Sequence, residues 1–161
     1  MKGKTTITGM MRDDFNWNWE RLMDAVKACP DELWNRKAGG DVYWQQIYHC
    51  CACADLFTMP AGASIDMGSQ DEDVVFLQKP PSKEVSKSEL LDYAGRIKAK
   101  ADAWIDGIDD EALAQPHEGF SARNGSTFEN ARVLLLLSKH VFYHVGHCDA
   151  LLREAGGKGV V

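Results

Sequence analysis

In the C-terminal third of the chain, one stripe of residues recurs at alternating steps of four and three: Val133, Leu137, His140, His144, His147 and Leu151. That spacing is one face of an α-helix, and a face this apolar has to pack against something. Three further segments carry the same pattern. Phe15, Trp19, Leu22, Val26 and Cys29 mark the first helix, which Pro30 stops. Val42, Gln46, His49, Cys53 and Leu56 are the inward stripe of the second, over residues 42–58. Leu90, Ala94, Ile97, Ala101, Trp104 and Ile108 form the third. No alternating run is long enough for a convincing sheet. Four amphipathic helices without strands predict an all-α fold, a four-helix bundle.

The connections supply the punctuation. "PDELWNRKAGGD" reads as a short turn broken by its two glycines, with Asp41 as N-cap of the second helix. "SKSE" at 86–89 and "STFE" at 126–129 have the S-x-x-E form of a capping box, and are expected to open the third and fourth helices. The fourth is expected to run to about Ala155, where "GGKG" ends it. "MPAGASIDMGSQDEDVVFLQKPPSKEV" is a long crossover between the second and third helices, in which "VVFL" packs down over the body. "QPHEGFSARNG" reads as a polar loop that leaves His117 solvated.

With 161 residues, 45% hydrophobic and 26% charged, the chain has the size and balance of one globular domain, residues 1–161. A formal charge of −6, with no local cluster of Lys and Arg, argues against nucleic acid as a partner. The longest apolar run, "VLLLL", is far too short for a membrane span, and the N-terminus lacks the apolar core of an export signal. A cytoplasmic protein with no membrane partner is expected. Five cysteines, an odd number, then read as reduced and mostly buried thiols.

Imidazoles on a core stripe need an explanation. A buried polar group without a partner costs about 1–3 kcal/mol, and three would be a heavy burden on one helix. A divalent metal ion resolves it, because two His at i and i+4 project from one face and can chelate one ion. His49, on the stripe of the second helix, is the candidate third donor. His140 and His147 lie about 10 Å apart along the axis, at 1.5 Å per residue. Spacing therefore allows His140 with His144, or His144 with His147. Gln46 and Tyr143 flank the site and are candidates to orient a substrate. Cys53, one turn after His49, is a candidate soft ligand, with buried thiol as the alternative. Asp55 and Asp149 point away from the histidine faces, and no general base stands out. Imidazole donors suit zinc or nickel equally.

"HVFYHVGH" ahead of "LLR" resembles the H-x-x-x-H-x-G-Q motif in the last long helix of DinB/YfiT-like proteins. "CPDELWNRKAGGDVYWQQIYH" is similar to the approach to that family's first metal histidine. The resemblance covers most of the chain and implies an up-down-down-up bundle, usually a homodimer, with one divalent ion held by His49, His140 and His144. The motif's Gln position is His147 here, which places a further imidazole in the second shell or cavity. The resemblance implies metal activation of a nucleophile toward a small-molecule substrate. The nucleophile would be a low-molecular-weight thiol such as bacillithiol or mycothiol, or water, in a transferase, isomerase or hydrolase. The alternative is a metal-stabilised binding or stress-response protein without turnover.

Overall fold

A computed structural model describes residues 6–161. Residues 1–5, part of the N-terminus read above as lacking an export signal, lie outside the described residues. Helix α1 (Ile7–Ala28) begins where the Thr6 hydroxyl accepts from the Gly9 amide at 3.0 Å, satisfying a free donor of the first turn. Its stripe is as expected: Phe15, Trp19, Leu22 and Val26 are buried, and Cys29 closes the face just before Pro30. Burial of each such large side chain is worth about 1.5–3 kcal/mol.

Residues after Pro30 are more regular than a turn. A four-residue helix, α2 (Asp31–Trp34), presents Trp34, whose indole N–H donates to the Val85 carbonyl at 2.7 Å. A small antiparallel ribbon follows, β1 (Lys37–Ala38) with β2 (Asp41–Val42), turning through Gly39 and Gly40 at φ +67° and +112°. Both glycines hold backbone conformations that side chains resist. Asp41 is not an N-cap. Val42 occupies the cap position of α3 (Tyr43–Thr58) with no side-chain cap bond, and the Asp41 carboxylate accepts from Gln46 Nε2 at 2.7 Å instead.

Helix α3 departs from the single-stripe expectation because it is buried nearly all round, Tyr43, Trp44, Ile47, Tyr48, Cys50, Cys51 and Ala52 included. A helix apolar on every side must be wrapped, and the crossover wraps it. Within that crossover α4 (Glu72–Val75) lays Val74 and Val75 into the interior, as "VVFL" suggested. Gln45 Nε2 donates to the carbonyls of Val74 and Lys79, each at 2.9 Å. The Tyr48 hydroxyl donates to Met67 O and accepts from the Ser69 amide, both at 2.9 Å, while the Tyr93 hydroxyl donates to Asp66 O at 2.6 Å.

Helix α5 (Lys87–Asp106) opens with half of the expected capping box: Ser86 Oγ accepts from the Glu89 amide at 3.1 Å, but the Glu89 carboxylate accepts from Ser69 Oγ. "QPHEGFSARNG" is not a loop. It contains α6 (Glu118–Asn124), capped by His117 and ended by Gly125 at φ +64°. "STFE" does not open the last helix either. Its residues run extended beside 115–117, with the His117 amide donating to Phe128 O and the Asn130 amide to Gln115 O, both at 2.8 Å. Helix α7 (Asn130–Glu154) therefore starts three residues later than the motif suggests, and ends as expected at Ala155.

The four long helices make a bundle. α1 and α3 each pack against α5 and α7, so the ring runs α1, α7, α3, α5. α3 and α7 are neighbours, and that pairing sets the histidines of the two helices against each other.

Candidate metal centre

His49, on α3, is fixed by α4. Its Nδ1 lies 3.0 Å from the main-chain oxygen of Val75, which can only accept, so Nδ1 carries the proton. Nε2 then carries the ring's lone pair, with the Cys53 thiol 3.5 Å away as its neighbour. This is the arrangement by which an outer hydrogen bond sets the tautomer and angle of a ligating imidazole.

His140 and His144 reach the same place from α7, one turn apart. The ring centroids of His49 lie 5.4 Å from His140 and 5.1 Å from His144, with 4.6 Å between the latter two. One donor nitrogen from each of the three lies within 4.8 Å of the others, and no second such group of His, Cys, Asp or Glu occurs among the described residues. His144 is 2% exposed. Both of its ring nitrogens, and Nε2 of His140, are buried without any hydrogen-bond partner.

Burial and mutual proximity keep these rings neutral. Burial, reinforced by His49, pushes His140 down to about 4, and burial with the neighbouring His140, His49 and His147 pushes His144 down to about 3. His49 is lowered as well, chiefly by burial, with the Val75 carbonyl opposing. Three neutral imidazoles converging from two helices, those of His140 and His144 with unpartnered nitrogens, form a donor set that a divalent cation fits. Phe76 stands edge-on to His49 at 6.1 Å and Phe57 edge-on to His140 at 5.6 Å, an apolar wall that the sequence reading did not single out.

The other candidates separate. His147 does not join the three. It packs on the ribbon, so closely that a β-carbon on Gly39 would lie 2.4 Å from its Cε1, and its Nε2 is buried without a partner. Gln46 is buried and committed to Asp41. Tyr143 is 67% exposed, with its ring edge-on to His144 at 5.1 Å. The Cys53 thiol sits 3.5 Å from His49 Nε2, but burial pushes it up to about 12, so at neutral pH it is protonated rather than a thiolate. Asp55 and Asp149 are engaged elsewhere, with Lys100 at 3.1 Å and Arg153 at 2.8 Å.

His117 is the clear correction. It is 4% exposed, not solvated. Its Nδ1 accepts from the Phe120 amide at 3.0 Å to cap α6.

The comparisons with known proteins agree with this architecture. The family model of the DinB superfamily matches residues 14–148. Among solved structures the chain is similar to a DinB-like protein from Bacillus cereus ATCC 10987, at 18% identity and a TM-score of 0.67, with 96% of each chain covered. At that identity the likeness speaks for the fold. No curated relative matches. On the family match over most of its length, the chain belongs to the DinB superfamily.

Proposed function

We propose that His49, His140 and His144 hold one divalent ion, zinc or nickel, and that the protein is a metal-dependent enzyme acting on a small molecule with a low-molecular-weight thiol or water as nucleophile. The observation that carries this reading is the fully buried His144 ring with neither nitrogen paired, beside an unpaired His140 Nε2 and facing His49. Buried imidazoles of this kind are costly unless something accepts their lone pairs. A divalent ion bound there would lower the pKa of a thiol or water toward neutrality.

The chain's own residues do the rest. The Val75 carbonyl holds His49 in one tautomer. Phe57 and Phe76 limit water at the donor nitrogens, and the exposed Tyr143 offers a hydroxyl beside His144 for substrate orientation. No described helix is long and apolar enough to cross a membrane, and the described cysteines are all free and buried. Both support a cytoplasmic setting. A homodimer is the partner state this reading favours: Met10, Trp17, Leu135 and Phe142 are half-exposed on the neighbouring helices α1 and α7, with Trp17 and Phe142 6.5 Å apart.

Elemental analysis of protein purified without a polyhistidine tag, beside His140→Ala and His147→Ala, tests the site. About one ion per chain, absent in the first variant and kept in the second, supports it. No ion in any sample after incubation with zinc or nickel rejects it. A second reading, a metal-stabilised protein without turnover, is favoured by the engagement of Asp55 and Asp149 in ion pairs away from the cluster. Cobalt-substituted protein separates the two: a visible spectrum that responds to imidazole or a thiol indicates an open coordination position, and an inert one a saturated ion.

A further inference from the structure

Both nitrogens of His144 and Nε2 of His140 are buried away from solvent. Nothing from outside reaches them unless a neighbouring group moves. Three rings border the cluster. Phe57 belongs to the 16-residue α3 and is backed by Phe120 at 5.3 Å. Tyr143 is already 67% exposed and covers little. Phe76, edge-on to His49 at 6.1 Å, stands just beyond the four-residue α4, at its C-cap.

The backbone next to Phe76 is strained. Leu77 has φ +59°, and no other non-glycine residue among those described has a positive φ. It ends α4 in a pattern where glycine usually stands, with the Leu77 amide donating to Val74 O at 3.2 Å and the Gln78 amide to Asp73 O at 2.8 Å. In this conformation a β-carbon crowds the following carbonyl. Leu77 is half-buried and does not join the core that Phe76 packs against, so packing does not account for a leucine here. Strain of this kind persists only where the surroundings impose it, and it gathers at functional sites.

The surroundings that impose it all belong to α3. Ahead of the strained turn, Val74 and Val75 are buried, Gln45 Nε2 donates to Val74 O, and His49 Nδ1 donates to Val75 O. Beyond the turn, the same Gln45 amide donates to Lys79 O. Both ends are therefore pinned, and residues 76–78 form a flap between the pins. Val75 lies outside that flap, so lifting Phe76 leaves the His49 hydrogen bond in place and its tautomer unchanged.

We propose that residues 76–78 are the gate of the three-histidine centre. Release of Leu77 from its left-handed conformation breaks the Gln78–Asp73 hydrogen bond, swings the Phe76 ring off His49, and opens the way in for an ion and then a small molecule. The gate rests on the reading of His49, His140 and His144 as the metal site.

Stopped-flow zinc exchange against a chromogenic chelator, on the full chain, tests it. Leu77→Gly removes the strain that favours opening. Zinc association and dissociation should both slow about fivefold, the left-handed strain less glycine's own freedom in the open state, with the dissociation constant unchanged. Leu77→Ala keeps the β-carbon and should exchange zinc as the unsubstituted chain does. Phe76→Ala removes the cover, and should speed both rates at unchanged affinity. In chelated protein, hydrogen exchange of the Gln78 amide reads the same opening without metal, and should slow by the same factor in Leu77→Gly. Unaltered zinc rates in Leu77→Gly and Phe76→Ala, a change of affinity in place of rates, or unaltered Gln78 exchange would each overturn the gate and leave the metal site standing. A chain that binds no zinc overturns the site, and the gate with it.

Discussion

The Nδ1–H of His49 donates to the main-chain oxygen of Val75 at 3.0 Å, so a carbonyl in the crossover, not a residue of the bundle, sets which nitrogen of His49 keeps its lone pair. The short helix that carries Val75 is in turn pinned to α3 by Gln45, through Val74 O and Lys79 O. The crossover thereby becomes part of the candidate centre.

Gln45→Ala should loosen that arrangement without touching a donor nitrogen. Outer hydrogen-bond partners of ligating histidines typically contribute 10–100-fold in metal affinity, and Gln45 acts one step further out. About a tenfold loss of zinc affinity, read by competition with a chromogenic chelator, is expected. A lower melting temperature with unchanged zinc affinity would make Gln45 merely structural.

Zinc should stabilise the folded chain through the same three residues. An ion present at 100 times its dissociation constant adds about 2.7 kcal/mol. For a domain of this size that corresponds to roughly 5–10 °C in melting temperature. The shift should vanish in His49→Ala, His140→Ala and His144→Ala, and persist in His147→Ala, where thermal unfolding with and without zinc checks it. A full shift in His140→Ala would dismiss the α3–α7 donor set.

What the sequence made legible follows the physics of side chains. The periodic stripes located four long helices, and the i,i+4 pair on α7 with His49 on α3 are brought together as a donor group. The all-round burial of α3 was readable too, in Trp44, Ile47, Tyr48 and Cys50–Cys51, but a one-stripe template passed over it. The Val75 carbonyl was not readable, because every residue offers a carbonyl and only tertiary packing selects one. α6 was missed since seven residues carry little periodicity and its cap is an imidazole, outside the usual Ser, Thr, Asp and Asn. "STFE" misled for the opposite reason. A sound local motif lost to the pairing of 115–117 with 128–130.

Gly39 is expected to be intolerant of a side chain on two separate grounds. Its φ of +67° costs an L-residue about 1–2 kcal/mol, and its missing β-carbon leaves the space that the His147 ring fills. Gly39→Ala should therefore destabilise by more than the backbone term alone. In a double-mutant cycle by urea denaturation, adding His147→Ala should recover the collision and leave the backbone term. Strict additivity of the two substitutions would mean that the contact carries no energy.

Acid should destabilise the metal-free protein over a defined window. His140 and His144 are held at about 4 and about 3 in the fold, against 6.5 for an ordinary imidazole. Above pH 6.5 both folded and unfolded chains keep these rings neutral, and they add no pH dependence. As pH falls below 6.5 the unfolded chain takes up protons that the folded chain refuses, so stability drops, and it goes on dropping until the folded rings titrate near 4 and 3. Urea midpoints of chelated protein should decline steadily from pH 7 to pH 4.5. His144→Leu, which replaces the most deeply buried of the three rings with an apolar side chain of similar reach, should flatten that slope and raise the midpoint at pH 5. A slope unchanged by His144→Leu would place the acid sensitivity in other groups and show that His144 is not held neutral.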